Sequence, residues 1–263
     1  MLQITLVAIT VGIIVSVVHT YFGLYIIRRG IIFVDLALAQ AAALGLAISS
    51  VIFHNYTHNL FYQYGLSFLT VLIVTILLTI ATNQNIINTE ALIGIIYVGL
   101  IAMTFIVLSN SSAEFNEIHS LLSGDILLVS PKQLLITIIV YLFFGLIHLI
   151  FGKRMWDLST NWTLLFFITF GITLIFSVQM VGVFLAFSYL IIPAVVAVIF
   201  TKDYLSVSSL IVGSLVGTLG TVVGTILSVF WNFPTSPTII ITLITILILS
   251  ILANSFIALK RKS

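Results

Sequence analysis

The sequence of 263 residues contains no cysteine and very few charged side chains. The absence of cysteine excludes a disulfide-stapled scaffold, a thiolate metal site and a cysteine nucleophile. Charged residues make up 6% of the chain, whereas soluble domains carry about a quarter. A water-soluble fold could not cover its surface with so few polar groups. The net charge of +2 is also too small for a nucleic-acid-binding surface, so we expect no nucleic-acid partner.

Long apolar runs dominate the rest of the chain. Hydrophobic residues account for 61% of it, and the mean hydropathy is +1.34. Because a transmembrane helix needs about 20 apolar residues, the chain has room for eight or nine of them. The sequence therefore predicts an all-α, polytopic membrane protein with one transmembrane domain over residues 1–263.

The predicted spans are separated by short polar stretches. They cover residues 3–27, 31–53, 66–81, 91–109, 133–151, 162–200, 205–230 and 238–258. The run 162–200 is long enough for two tightly joined spans. We expect it to be broken near Gln179 and bent at Pro193.

The positions of the basic residues indicate the orientation of the chain. Cytoplasmic loops of membrane proteins carry an excess of Lys and Arg. If nine spans are counted, eight of the nine basic residues fall on one side, and only Lys132 falls on the other. The loops that contain Arg28-Arg29, Lys153-Arg154, Lys202 and Lys260-Arg261-Lys262 are therefore predicted to be cytoplasmic.

Four glycines recur at helical spacing in the span 205–230. They are Gly213, Gly217, Gly220 and Gly224. In lipid the hydrophobic effect does not drive helices together, so helices in membranes pack closely where their residues are small. The glycines therefore predict close packing within the chain or, as the alternative, an interface between two copies.

Three polar side chains inside the predicted spans are candidate ligands for a metal ion. Asp35 and Gln40 lie in the second span, and His19 lies in the first. An ionisable group in the bilayer costs at least about 2.5–3.5 kcal/mol at the helix centre, so it needs a function or a partner. Carboxylate, amide and imidazole groups all bind divalent cations. The alternative is a set of buried hydrogen bonds, or an interaction of Asp35 with Arg28 or Arg29.

Other polar residues have structural explanations. Glu90 opens a span, where the helix dipole favours a carboxylate. His148 lies in an apolar span and is predicted to be a packing residue. The loop residues Glu114, Glu117 and His119 could collect cations, but a solvated loop is the simpler interpretation.

The sequence has no signature of an enzyme. It lacks the His-Glu-x-x-His, Gly-x-Ser-x-Gly and Walker A motifs. We therefore expect a protein that is not an enzyme and has no permanently bound cofactor. Any work driven by ATP would require hydrolysis in a separate chain.

Four blocks of sequence resemble the manganese/zinc/iron ABC importer permeases and occur in that family's order. They are residues 28–45 (RRGIIFVDLALAQAAALG), 122–130 (LSGDILLVS), 182–194 (GVFLAFSYLIIPA) and 233–238 (FPTSPT). Each block is a modest motif by itself. Because the four follow in order and reach nearly end to end, together they make a specific match.

The resemblance implies a multi-pass permease of the bacterial cytoplasmic membrane that works as a homodimer around a translocation path. An ATP-binding ABC subunit would dock on the cytoplasmic side, and a metal-binding protein would deliver Mn²⁺, Zn²⁺ or Fe²⁺ outside. The resemblance also implies that the second span contacts the ion. Our order of candidates is Asp35, then Gln40, then His19.

The sequence departs from the family's pattern in its second span. Family members commonly pair the Asp with a His four residues later, whereas this chain has Ala39 there. Counted back from Gly45, Gln40 occupies the position of the family's His. Because Gln is a poorer zinc ligand than imidazole, the substitution favours manganese or iron.

A second departure concerns docking of an ATPase. The connection 152–161 is shorter than the cytoplasmic segment that the family usually carries, so docking would rely on this turn and on residues 199–206. The short connection leaves an alternative function, a stand-alone secondary transporter driven by an ion gradient. Asp35 would then be the intramembrane carboxylate that carries the coupling.

Overall fold

The computed structural model describes residues 2–53, 60–84, 88–109, 124, 126–155, 160–204 and 206–260. This part of the chain is helical and contains no strand. The helices are α1 (Leu2–Arg29), α2 (Val34–Ile52), α3 (Leu60–Gln84), α4 (Thr89–Leu108), α5 (Pro131–Met155), α6 (Thr160–Thr201), α7 (Val207–Trp231) and α8 (Thr235–Lys260). A short 3₁₀ turn covers Ile126–Leu128. The prediction of an all-α membrane protein is confirmed.

Seven helices of the described residues are long and apolar enough to cross a membrane. This count is lower than the predicted eight or nine for two reasons. The continuously apolar part of α3, Tyr64–Ile80, is shorter than a full span. Helix α6 counts once although its 42 residues would extend about 63 Å, roughly twice the thickness of the ~30 Å hydrocarbon core.

Helix α6 is divided at Gly182. This residue has φ 78° and ψ 168°, a conformation that is essentially restricted to glycine, so the regular helix stops there. The break lies three residues beyond Gln179, where the sequence predicts it. Pro193 lies within the helical stretch that follows.

A second glycine lies against this break. Gly124 has φ +58°, and a Cβ at this position would overlap the backbone of Val181 and Gly182. Only a residue without a side chain permits this approach of two backbones. Glycines from two of the sequence blocks therefore meet at the division of α6.

The helices form two compact units, each assembled from separate segments of the chain. The first unit contains Met1–Gly30, Asp125–Leu134 and Phe184–Ser263, and the second contains Ile31–Gly124 and Leu135–Val183. Val183, the residue after the break at Gly182, is the last residue of the second unit, and Phe184 begins the next segment of the first unit. Whether residues 1–263 fold as one domain stays a prediction.

In the first unit, α7 packs against α1 and α8 through its glycines. A Cβ at Gly217 would overlap Ser16 of α1, and one at Gly224 would overlap the backbone of Ile239 in α8. A Cβ at Gly213 would likewise overlap the Thr20 side chain of α1, and one at Gly220 would overlap the Leu243 side chain of α8. All four glycines are buried. The prediction of close packing within the chain is confirmed, and this stripe is not left exposed for a second copy.

In the second unit, α2 packs against α3 and α4 and is buried over most of its length. Its alanines allow close approach, and a Cβ at Gly45 would overlap the backbone of Ser67 in α3. Two hydroxyl groups of α3 donate hydrogen bonds across the contact, from Ser67 to the Ala42 carbonyl (3.1 Å) and from Thr70 to the Ala41 carbonyl (2.7 Å).

The same unit contains a contact between α5 and the first part of α6. The Nε2 atom of His148 lies 2.8 Å from the Thr169 hydroxyl, and the His148 ring meets that of Phe166 edge to face. His148 is therefore a hydrogen-bonded packing residue, as predicted.

Candidate functional site

Asp35 lies in the first turn of α2 and is completely buried. Neither of its carboxylate oxygens has a hydrogen-bond partner among the described residues. The preceding N-cap residue, Phe33, provides no side-chain cap. The helix N-terminus offers Asp35 a favourable dipole, which offsets only part of the cost of burying a carboxylate in a membrane.

Gln40 lies one and a half turns further along α2 and is also buried. Its Nε2 donates a hydrogen bond to Oγ1 of Thr104 in α4, over 3.1 Å. Thr104 donates its own hydroxyl proton to the Leu100 carbonyl, over 2.9 Å. The second polar atom of the amide, Oε1 of Gln40, is buried and has no partner in the part of the chain that the structure describes.

Asp35 and Gln40 share a helix but not a face of it. A separation of five residues corresponds to about 7.5 Å along the axis and about 140° around it. Both side chains are nevertheless buried, because neighbours cover α2 on most sides. The structure thus places two oxygen-bearing side chains with unused acceptors at different depths of one central helix.

His19 lies in α1 and is completely buried. Its Nδ1 is 3.0 Å from the Val15 carbonyl. Because a carbonyl can only accept, Nδ1 carries the hydrogen, and in the neutral ring Nε2 then has the lone pair that a metal ion could use. No hydrogen-bond partner of Nε2 occurs in the described ranges.

The three predicted ligands are divided between the two compact units. His19 belongs to the first compact unit, and Asp35 and Gln40 belong to the second. Among the described residues, no group of three or more His, Cys, Asp or Glu side chains could hold one ion. A site made by Asp35, Gln40 and His19 stays a prediction.

Glu90 occupies the first turn of α4, as predicted, and the Asn88 side chain caps that helix by accepting from the Glu90 backbone N–H over 2.9 Å. The Glu90 carboxylate also lacks a partner among the described residues, but its side chain is only partly buried. The loop candidates Glu114, Glu117 and His119 lie outside the described residues.

Thr104 is the residue of this region that sequence reasoning missed. It is 64 positions from Gln40 and lies in an apolar helix, where a threonine usually bonds only to its own backbone. The pattern of α4 carries no signal that distinguishes it. Only the packing of α4 on α2 reveals that Thr104 contacts Gln40.

The arrangement is suited to transient binding of a cation. The Asp35 carboxylate and the Gln40 amide oxygen are hard oxygen ligands of the kind that Mn²⁺, Mg²⁺ and Ca²⁺ accept, and an imidazole suits Zn²⁺ and Fe²⁺ as well. Unused acceptors in a membrane-spanning helix are costly without a ligand. These acceptors therefore have the chemistry of cation ligands.

Comparisons with known proteins agree on one class. The model of the family described as "ABC 3 transport family" matches residues 1–254. The chain is 25% identical over 268 residues to the manganese import system permease protein ScaB of Streptococcus gordonii, covering 97% of this chain and 91% of that protein.

A solved structure has the same fold. It is that of PsaBC from Streptococcus pneumoniae in complex with Fab, with a TM-score of 0.76 and 22% sequence identity. The match covers 93% of this chain and 89% of the chain in that structure. The likeness therefore covers most of both chains.

Proposed function

This chain belongs to the ABC 3 transport family, and we propose on that premise that it is the membrane-spanning permease subunit of an ATP-driven importer of divalent transition metal ions. The cargo is Mn²⁺, Zn²⁺ or Fe²⁺, with Mn²⁺ as the first choice. The name of the Streptococcus gordonii relative, a manganese import permease, supports this choice. The two oxygen ligands of α2 support it as well, because Mn²⁺ accepts carboxylate and amide oxygens readily.

The observation that carries the proposal is the state of Asp35. It is a completely buried carboxylate in a membrane-spanning helix, with no hydrogen-bond partner for either oxygen in the described parts of the chain. Polar groups of this kind inside membranes mark substrate and ion pathways. Asp35 supplies the charge that attracts the ion, Gln40 adds an amide oxygen, and His19 adds an imidazole nitrogen.

The proposal includes partners on both sides of the membrane. A metal-binding protein delivers the ion outside, and an ATP-binding subunit docks in the cytoplasm. The turn between α6 and α7 fits the docking role because Lys202 and Asp203 are exposed. This turn is held by hydrogen bonds from the Ser209 hydroxyl to the Asp203 carbonyl and from the Ser209 backbone N–H to the Ser206 side chain.

We further propose that the protein works as a homodimer in the bacterial cytoplasmic membrane. Its glycine stripe in α7 does not supply the dimer contact, because α1 and α8 already cover it. The apolar side chains exposed along the helices are available both to lipid and to a second copy.

The test is the substitution Asp35→Asn, which keeps the shape of the side chain and removes its charge. The full chain is purified from native membranes with whatever ATPase accompanies it, and radioactive Mn²⁺ uptake is measured in vesicles with ATP. We expect the initial uptake rate to fall on the order of a hundredfold. Retention of the ATPase and the elution volume should stay unchanged, because Asn retains the packing.

The matched control is Glu90→Gln, which neutralises another first-turn carboxylate in the same unit. We expect it to leave uptake within about twofold, because the dipole of α4 explains this carboxylate. Unchanged uptake by Asp35→Asn would refute the site. Uptake that persists without an ATPase would instead support the secondary transporter.

A further inference from the structure

The orientation of the Gln40 amide follows from a count of protons. Thr104 has one hydroxyl proton, and the hydroxyl donates it to the Leu100 carbonyl, which can only accept, over an oxygen–oxygen distance of 2.9 Å. The Thr104 oxygen must therefore accept from Gln40, and only the amide nitrogen can donate. The 3.1 Å contact between Gln40 and Thr104 thus identifies the end of the amide that faces α4.

The other end of the amide is then fixed as well. Oε1 of Gln40 is directed away from Thr104, is buried, and has no hydrogen-bond partner among the described residues. We propose that Thr104 is a positioning residue, which holds the Gln40 amide so that its oxygen, and not its nitrogen, is presented to the transported cation. The proposal rests on the permease function proposed above and deepens it.

Two effects favour this orientation over the flipped one. A flipped amide would place Oε1 of Gln40 against Thr104, so Thr104 would have to withdraw its proton from Leu100 to donate to it. The flipped amide would also present its partly positive NH₂ group to the ion. Because only the oxygen end of an amide has lone pairs for a cation, only one of the two orientations can bind it.

Thr104 is suited to this role by its burial. It is 5% exposed, so water cannot easily replace it as the acceptor for the amide nitrogen. The hydrogen bonds that orient metal ligands are typically worth 10–100-fold in metal affinity when the partner is removed. We therefore expect loss of the Thr104 hydroxyl to act on the affinity for the ion more than on the maximal rate.

The test compares Thr104→Val with Thr104→Ser. Valine keeps the shape of threonine and removes the acceptor, whereas serine keeps the hydroxyl. Uptake of Mn²⁺ is measured against its concentration in vesicles that contain the full chain and its ATPase. For Thr104→Val we expect KM to rise about tenfold and the maximal rate to stay within about twofold. We expect Thr104→Ser to restore KM.

The chain offers a matched control in the first unit. Thr221 is a buried threonine whose hydroxyl donates to the Gly217 carbonyl, over 2.8 Å, while a side chain of another helical segment, Tyr189, contacts its oxygen. Thr221→Val removes an equivalent hydrogen bond. We expect it to lower the temperature at which the protein unfolds and to leave KM for Mn²⁺ unchanged.

The outcomes separate this inference from the function on which it rests. If Gln40→Ala raises KM but Thr104→Val does not, the positioning role is wrong and the metal site stands. If neither variant changes KM, Gln40 does not contact the ion and that part of the proposed function fails. A loss in Thr104→Val that Thr104→Ser does not repair, or that Thr221→Val reproduces, would indicate a merely structural threonine and overturn the inference.

Discussion

Thr221 and Thr104 occupy nearly identical local environments in different units of the molecule. Each is buried in an apolar helix and donates its hydroxyl to the carbonyl four residues earlier, over 2.8 Å to Gly217 and 2.9 Å to Leu100. Each also contacts a polar side chain of another helical segment, Tyr189 at 2.7 Å for Thr221 and Gln40 at 3.1 Å for Thr104. Because both threonine protons are already used, both partners must be donors.

The difference lies in what the partner retains. The Tyr189 hydroxyl has one proton and donates it to Thr221, so neither hydroxyl of this pair has an unused proton. The Gln40 amide keeps an oxygen that nothing in the described chain satisfies. An unsatisfied buried acceptor costs about 1–3 kcal/mol, so a side chain that keeps one is suited to a ligand. The first pair serves packing, whereas the second leaves an acceptor that we propose for binding of the ion.

The largest effect on the Tyr189–Thr221 pair should come from Gly12→Val in α1. A Cβ at Gly12 would lie 2.7 Å from the Tyr189 hydroxyl oxygen and 3.3 Å from Oγ1 of Thr221. Overpacking of this kind costs about 1–3 kcal/mol, and we expect a clear fall in the unfolding temperature of the purified protein. KM for Mn²⁺ should not change in the fraction that folds.

The control for this substitution is Gly99→Ala in α4. A Cβ added at Gly99 would meet no atom of the described residues within 4 Å. We expect no loss of stability, because alanine costs less conformational entropy than glycine in a helix. If Gly12→Val altered KM without lowering the unfolding temperature, the Tyr189–Thr221 pair would have to belong to the transport path, and the comparison would fail.

A smaller effect is expected for Tyr189→Phe. Removing the tyrosine hydroxyl leaves Oγ1 of Thr221 without its donor. Hydrogen bonds between membrane helices contribute about 0.6 kcal/mol on average and up to about 1.7 kcal/mol. We expect a modest fall in the unfolding temperature and Mn²⁺ uptake kinetics like those of the unmodified protein. Because the two residues share one hydrogen bond, the double variant with Thr221→Val should lose less stability than the two single losses added together. A fully additive loss would mean that Tyr189 and Thr221 do not interact.

Most of the helical arrangement could be predicted from the sequence, because lipid imposes a length and an apolar composition on every span. The predicted spans 91–109 and 238–258 correspond to Thr89–Leu108 and Thr235–Lys260. The largest difference is α3, predicted over 66–81 and observed as Leu60–Gln84. Hydropathy detects only the apolar part of a helix, and α3 continues into polar residues at both ends.

The candidate site was only partly accessible to the same reasoning. Asp35 and His19 stand out because ionisable residues in apolar runs are rare, and the structure buries both completely. Thr104 does not stand out, because hydroxyl residues are common in membrane helices and usually bond to their own backbone. Its role depends on a contact across 64 positions of sequence. Periodicity and composition describe single helices, so they contain no information about such a pair.

The smallest effect is expected for Thr20→Val in α1. This substitution removes only the hydrogen bond from a threonine hydroxyl to the carbonyl four residues earlier, which Thr104 and Thr221 also make. Thr20 is completely buried, and its hydroxyl donates to the Ser16 carbonyl over 2.8 Å. Valine preserves the methyl group that faces Gly213, and the Ser16 carbonyl keeps its backbone hydrogen bond within the helix. We therefore expect the free energy of unfolding to change by less than about 0.5 kcal/mol.

Thermal unfolding of Thr20→Val beside Thr221→Val sharpens the comparison, because the two substitutions remove the same bond to the helix's own carbonyl. Only Thr221 also accepts from another helical segment. If the two variants lose equal stability, the bond to the helix's own carbonyl accounts for the loss. The contacts that Tyr189 and Gln40 make with the threonines then contribute nothing further to stability. If Thr221→Val alone is destabilised, the contact between helices is the part that matters. The same logic then applies to Thr104, whose partner Gln40 retains an unpartnered amide oxygen.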